Sequence, residues 1–468
     1  MTATDRLAGF VHELSIAAIP PNVVELARRC LRDALGCILG GAGTEPGCYA
    51  AALAREMGGT PEATLVLNES LLPAPLAAFA HATMANALDF DDTLFGHPGA
   101  TVVPTVLALG EAVGADGSAL LAALVAGYEV SARVVACARP LIPRYTAMWD
   151  LGTLQTYGAA AAAAKLLALP PKKVNDALGL AGATAPAPLG RKDRALAEEG
   201  RSMVKSAYGW TVYSAILAAR LAQRGFTGPA HIFDGTMGFW EMGAAITPRI
   251  AHLTDRLGEI YLLEEVQFKP YPACRFLHPV LDGIRSLLAI GVQGETVRGV
   301  EVRGFALLQD EYHNIHRPRS PTDAQFSVPY TVAVMLLDGR LGPDAFTPER
   351  LTDPRTLALA DRVRVTVDPD FEAAYPQQLG AAVTITVTDG RRLESRVDRP
   401  RGDPGRPLTE EELREKFHLL SEPALGRDRA TALGALIDAL PELDSVRSLT
   451  ALLRAPRRAD ASDRDSRA

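Results

Sequence analysis

The chain has 468 residues, 48% hydrophobic and 22% charged, which is enough apolar material for one or two substantial cores and too much for a largely disordered polymer. Its 48 basic and 55 acidic side chains leave a net charge of −7 with no long block of one sign, which argues against generalised nucleic-acid or membrane-surface binding and makes any cationic site a local one. Five cysteines without a C-x-x-C pair fit a reduced, cytoplasmic compartment better than a metal cluster or a disulfide framework.

The first ten residues lack the basic flank and apolar run of a secretory signal. The longest apolar stretch, 118–138, is interrupted by Glu129 and Arg133, so no membrane-spanning segment is expected. From residue 4 to about 267 apolar residues recur at helical spacing, as in Val23, Leu26, Ala27, Cys30, Leu31 and Leu35, and Gly/Pro clusters punctuate the run. The Ala-rich stretch 158–167 has side chains small enough for close packing inside a bundle. After Pro272 the pattern changes. Strands are predicted at 299–307, 363–367, 382–388 and 392–397, with a turn at Asp389-Gly390 and helices at 279–289 and 329–337. Pro400 to Pro407 is breaker-rich, after which 409–420 and 428–439 return to helical spacing, with Thr409 and Glu412 placed as a capping box. The fold predicted is mainly α with an α+β second domain. Its parts are a helical domain over 1–268, an α+β lid over 269–404, helices returning over 405–455 and a polar, disordered tail over 456–468.

Metalloprotease, P-loop, nucleophile-elbow and strand-embedded dinucleotide signatures are absent. The densest polar constellation is Asn86-Ala-Leu-Asp89-Phe-Asp91-Asp92-Thr93-Leu-Phe-Gly96-His97-Pro98. On a helix Asp89, Asp92 and Thr93 share one face, and a break at Gly96 presents His97 on a loop. Three carboxylates in four residues repel one another. Two readings stand at this point, an exposed acidic helix end and a carboxylate that sets the tautomer of His97 for general acid or base work.

Asp89-Phe-Asp-Asp-Thr93 with His97-Pro98, followed by Gly127-Tyr128-Glu129-Val130, resembles the MmgE/PrpD family of 2-methylcitrate dehydratases, cis-aconitate decarboxylases and related epimerases. The Ala-run ending in Lys165, Gly225-Phe-Thr-Gly-Pro229, Lys269-Pro-Tyr-Pro-Ala-Cys274-Arg275 with His278-Pro279, Asp323-Ala-Gln-Phe-Ser327 and Arg401-Gly-Asp-Pro404 extend the resemblance along most of the chain. The resemblance implies a large all-helical domain built from both ends of the chain, a smaller α+β lid, a cleft between them, a homodimer and no metal or organic cofactor. It also implies a catalytic set of His97 as proton-transfer group, Asp89 orienting it, and Lys205 and Lys269 as cleft-facing cations. Substrate contacts would come from Thr93, Trp149, Tyr208, Cys274, Arg275, His278 and Arg317, the last in a lid segment where relatives place such contacts.

The chain departs from the family pattern at three places. Trp149 stands where many relatives carry a histidine, Tyr208 stands three residues after Lys205 where many carry another, and Cys274 stands where some decarboxylating relatives have a third. A less polar substrate is expected in consequence. The activity expected is that of a lyase dehydrating a small di- or tricarboxylic acid, plain or alkyl-substituted. The alternatives are epimerisation or decarboxylation on the same residues, or a non-catalytic binding protein.

Overall fold

In the computed structural model, which describes residues 1–138, 151–185, 203, 206–234, 239–240 and 248–455, the N-terminal part is a succession of helices. They are α1 (Ala3–Glu13), α2 (Pro21–Gly41), α3 (Glu45–Met57), α4 (Ala74–Ala87), α5 (Gly99–Val113), α6 (Gly117–Ala138), α7 (Leu151–Leu166), α8 (Pro171–Thr184) and α9 (Tyr208–Gln223). Local chemistry sets their starts. Thr2 and Asp5 form a capping box on α1, Thr44 caps α3, and proline opens α2, α4 and α8 where no N–H is required.

Helix α6 is long and apolar enough to span a bilayer, but its most apolar window is 94% buried inside the protein. Its two charges are neutralised there. Arg133 bonds Glu129 at 3.2 Å and the carbonyls of Asp255 and Ile260, while Glu129 accepts from the Leu263 N–H at 2.8 Å. The Ala-run of α7 lies against α6, with Ala159 to Ala164 fully buried. Their approach depends on Gly127, where a Cβ would stand 2.6 Å from Val102 and 3.0 Å from Ala162.

The second region holds α10 (His278–Ala289), β1 (Val297–Gly304), α11 (Val328–Asp338), β2 (Val363–Val367), β3 (Ala381–Val387) and β4 (Arg392–Val397). The sheet order is β2-β1-β3-β4, with β2 parallel to β1 and the other pairs antiparallel. Val302 pairs with Val365 on one side and Val383 on the other, so β1 and β3 form the apolar centre, and exposed side chains mark β4 as an edge. The sheet packs against α10 and α11, a mainly α architecture with an α+β second domain.

The chain then returns through α12 (Glu410–Leu425), which opens on the Thr409/Glu412 capping box, and α13 (Arg427–Asp438). Arg28, Arg29 and Arg32 on α2 bridge Glu410 and Asp438 and hold both helices to the N-terminal bundle. The larger core accordingly joins residues from Leu7 to Phe268 with residues from Leu408 to Leu453, and a separate core runs from Tyr271 to Val387. The outgoing and returning segments cross at Phe268 and Gly402. The Phe268 N–H donates to the Gly402 carbonyl at 3.1 Å, and a Cβ at Gly402 would lie 1.7 Å from the Phe268 oxygen, at a backbone φ of +82°.

Candidate active site

Helix α4 stops at Ala87, and residues 88–98 form an irregular loop rather than the continued helix read from the sequence. A run of carboxylates is unfavourable at a helix C-terminus, where the dipole is negative. Asp89 instead takes a left-handed φ of +50°, which Asp tolerates better than most residues, and the loop is held from outside. The Lys269 ammonium accepts this task from one side, donating to the Asp89 carbonyl at 2.8 Å and lying 3.3 Å from its carboxylate. Lys416 on α12 donates to the Phe90 carbonyl and to Asp33 of α2, each at 2.6 Å, with its ammonium 4.1 Å from the centre of the Phe90 ring. Thr93 and Gln267 exchange two backbone hydrogen bonds of 2.8 Å, which stitches the loop to the segment leaving the helical region.

This framework gives each acidic side chain its own environment. Asp91 is fully buried, accepts from Asn86 Nδ2 at 2.9 Å and accepts from His97 Nδ1 at 3.0 Å. Burial pushes its carboxyl up, but the His97 ring and the Lys269 ammonium outweigh that, and it stands below the ordinary carboxylate value. Asp92 accepts from the Gly99 N–H at 3.0 Å and from the Tyr128 hydroxyl at 2.6 Å. Burial first, and the Asp33 carboxylate second, push it up to about 7. Burial also raises Asp33 against the pull of Lys416, while Lys416, lowered by burial, is raised overall by Asp33. We take the pair as ionised, because the ammonium has the Phe90 carbonyl and ring face as further partners that a neutral amine would lose.

The orienting carboxylate of His97 is therefore Asp91, not Asp89 as the sequence reading had it; Asp89 faces Lys269. With Nδ1–H committed to Asp91, Nε2 is the ring atom left to accept a proton, a tautomer assigned from the hydrogen-bond network. His97 is half-buried, and the ring of Tyr208, at the start of α9, lies 5.9 Å away between centroids. Thr93 is half-buried and its hydroxyl points to Gln267 Oε1 at 3.5 Å.

Across the seam from this loop lies the Lys269 to His278 segment. Arg275 is buried and donates to Gln267 Oε1 at 2.9 Å, the Arg401 carbonyl at 3.0 Å and His278 Nδ1 at 3.2 Å. All three acceptors are neutral, and Nη2 has no hydrogen-bond partner among the described residues. Burial lowers the guanidinium to about 10, so it is charged near neutrality. His278 has both ring nitrogens engaged, Nδ1 by Arg275 and Nε2 by the Ala273 carbonyl at 3.2 Å. It is held neutral by burial, Arg275 and Lys269, so its role corrects from substrate contact to support of Arg275. Cys274 is buried, 3.8 Å from His313 Nε2.

Arg317 corrects as well. Its side chain is 64% exposed and pairs with Asp361 at 2.5 Å on the surface. Trp149 and Lys205 lie outside the described residues.

The sequence reading missed Asn86 as the second partner of Asp91, Gln267 as the bridge between Thr93 and Arg275, His313 as the partner of Cys274, and Lys416. Only Lys416 left a clear signal, since it falls with Leu413, Phe417 and Leu420 on the apolar stripe of its helix, where a lysine needs a buried partner.

Ligand atoms of Asp89, Asp91 and His97 lie within 4.8 Å of one another and could hold a cation. Here the negative charge of Asp89 is met by Lys269, and His97 uses Nδ1 on Asp91.

The MmgE/PrpD N-terminal domain model matches residues 5–245, and the MmgE/PrpD C-terminal domain model matches residues 271–441. Cis-aconitate decarboxylase of Mus musculus is 28% identical, over 97% of this chain and 94% of its own length. The protein of the same name from Homo sapiens is 27% identical over 97% and 95%. 2-Methylcitrate dehydratase of Cupriavidus necator is 25% identical over 79% of each chain.

Proposed function

The chain belongs to the MmgE/PrpD family, and on that footing we propose that it is a lyase that removes water from a small di- or tricarboxylic acid by proton transfer at a carbon next to a carboxylate. The observation that carries this reading is Arg275, a buried cation whose hydrogen-bond partners among the described residues are all neutral. Asp403 and Asp282 favour the charge through space without bonding to it, but burial outweighs them, and a substrate carboxylate at Nη2 would offset that cost.

In this scheme Arg275, Lys269 and Lys205 bind the carboxylates and the enolate-like charge that grows beside them. Nε2 of His97 takes the α-proton, and Asp91 holds the ring in the accepting tautomer and stabilises the imidazolium that forms. Tyr208, near the His97 ring, supplies an aromatic wall and a hydroxyl donor. A second reading, decarboxylation, is favoured by the cis-aconitate decarboxylases that align with 97% of the chain. The family's homodimer, in turn, is proposed to form through the exposed apolar stripe of Trp210, Leu217 and Leu221 on α9 together with Tyr49 and Leu53 on α3, of which Trp210, Tyr49 and Leu53 line a groove of about 290 Å³.

The test is proton NMR in deuterium oxide with citrate-like, aconitate-like, alkylated and amino dicarboxylates. One substrate is expected to lose water with the parent protein, and His97→Ala and Asp91→Asn should each lose at least about 10²-fold in rate. Release of carbon dioxide instead of water selects the second reading. Unchanged turnover in His97→Ala refutes the assignment of the base.

A further inference from the structure

Beyond His97, one more set of titratable side chains is aligned beside the seam. Cys274 Sγ lies 3.8 Å from Nε2 of His313, and His313 Nδ1 lies 2.9 Å from Asp310 Oδ1. Asp310 and His313 share one turn, and the backbone brings that turn to the segment of Cys274. The Cys274 N–H donates to the Gln325 carbonyl at 2.9 Å, and the His313 carbonyl accepts from the Val328 N–H at 2.8 Å. Gln325 in turn donates from Nε2 to the carbonyl of Ala87 at 3.2 Å, the residue from which the catalytic loop departs. Cys274 thus adjoins Arg275 in the chain and is tied through Gln325 to the edge of that loop.

The groups facing His313 are few. Asp310 comes from its own turn, Cys274 from the opposite segment, and the rings of Phe276 and Phe326 stand at 5.9 and 6.0 Å. Burial alone would discharge the imidazole, but its hydrogen bonds to Asp310 and Cys274 outweigh it and raise His313 to about 9. The other buried thiols are differently placed. Cys30, Cys37 and Cys137 are pushed up by burial, and none has a hydrogen bond to an imidazole among the described residues.

We propose that Cys274 and His313 are a second proton relay of the site, acting on the substrate's leaving group while His97 acts on its α-carbon. The proposal rests on the lyase reading. As His97 takes the α-proton, the C–H electron pair becomes the new carbon–carbon π bond and the C–O pair leaves with the hydroxyl oxygen. The Cys274 S–H proton goes to that oxygen, so that water departs, and the sulfur is left as thiolate. The His313 imidazolium then returns a proton from Nε2 to the sulfur, and Asp310 holds the ring in line through Nδ1. Cys274 is the catalytic residue in this step and Asp310 a positioning residue.

The test has one arm that does not need turnover. The full-length protein is treated with iodoacetamide at pH 7.5, with and without tricarballylate, and labelling is read at each cysteine by mass spectrometry, the exposed Cys48 serving as the reference. Cys274 is expected to be labelled, with tricarballylate slowing it at least tenfold while Cys48 is untouched. No labelling of Cys274, or labelling indifferent to the tricarboxylate, overturns the proposal because the sulfur would not face the substrate. In the second arm, on whichever carboxylate the parent dehydrates, Cys274→Ala should lower kcat at least about 10²-fold with little change in KM. His313→Gln should abolish the alkaline limb of kcat near pH 9, and Cys274→Ser should recover part of the loss. Parental kcat and pH profile in Cys274→Ala and His313→Gln would refute the relay while leaving the lyase reading intact, whereas a parent protein inert on every carboxylate would refute that reading instead.

Discussion

Replacing Lys416 by methionine tests whether the acidic loop of residues 88–98 is positioned by the returning C-terminal helix. The ammonium is almost fully buried and stands 2.6 Å from both Asp33 and the Phe90 carbonyl, and methionine keeps its apolar stem while removing the charge. Asp33 is then a fully buried carboxylate without its cation. Breaking a buried pair from one side costs about 3–5 kcal/mol. The loss has a ceiling, because Asp33 can escape by taking a proton, which at pH 7 costs roughly 4 kcal/mol relative to an ordinary carboxyl. A loss of about 3–4 kcal/mol is therefore expected in urea unfolding at pH 7, shrinking as the pH falls toward 5. The double variant Asp33→Leu with Lys416→Met removes both charges and should regain most of that stability, since apolar replacement of a buried pair is close to neutral. It should not regain activity, because the Phe90 carbonyl has lost its donor and Asp91, the next residue, loses its fixed aim at His97. Additive losses in the cycle, or a double variant with parental kcat, would refute the reasoning.

Asp92 offers a prediction of opposite sign in pH. Its carboxyl is raised from an ordinary 3.8 to about 7, so the folded chain holds that proton more tightly than the unfolded one. The resulting penalty is absent below the unfolded value, grows as pH rises between the two, and is complete above about pH 7 at roughly 4 kcal/mol. Asp92→Asn, which mimics the neutral form toward Gly99 and Tyr128, should unfold at higher urea than the parent at pH 8, with more than half of that advantage gone at pH 5; a pH-independent difference would count against this account. For the apolar stripe, Trp210→Glu is expected to be monomeric by light scattering where the parent is dimeric, and a parent that is itself monomeric at tens of micromolar would remove the basis for that interface.

The sequence made the fold's periodic parts legible and its loop chemistry only partly so. The strand at 363–367 was readable to the residue because β-branched residues fill it up to the Asp368-Pro369 breaker, that at 392–397 because it follows the Asp389-Gly390 turn as the second arm of a hairpin, and the Thr409/Glu412 box marks its helix start through a purely local hydrogen bond. The Ala-run was readable as interior because such small side chains serve close packing. The acidic loop was legible as a site and not as a geometry. Helical spacing put Asp89, Asp92 and Thr93 on one face, but two ammonium groups from distant segments, Lys269 and Lys416, hold the chain out of the helix there. No local pattern encodes which of three neighbouring carboxylates meets His97. That choice falls to Asp91 because Asn86, on the last turn of α4, fixes its other oxygen. Arg317 misled for the reverse reason, since an arginine in a polar segment looks the same whether it faces a cleft or, as here, a surface aspartate.

The positions of those two lysines tie the site to the crossing of the chain. Lys269 follows the Phe268 and Gly402 crossover by one residue, and Lys416 lies on the helix that begins shortly after the chain has crossed back. Their targets are the carbonyls of Asp89 and Phe90, adjacent peptide units just before the residue that orients the base. Lys269 belongs to the segment that enters the sheet-bearing region, whereas Lys416 is anchored to α2 through Asp33. Between the two anchors Asp89 occupies a left-handed backbone conformation. The aim of Asp91 at His97 therefore rests on contacts drawn from both sides of the crossing, one ammonium from the segment entering the sheet-bearing region and one from the returning helix.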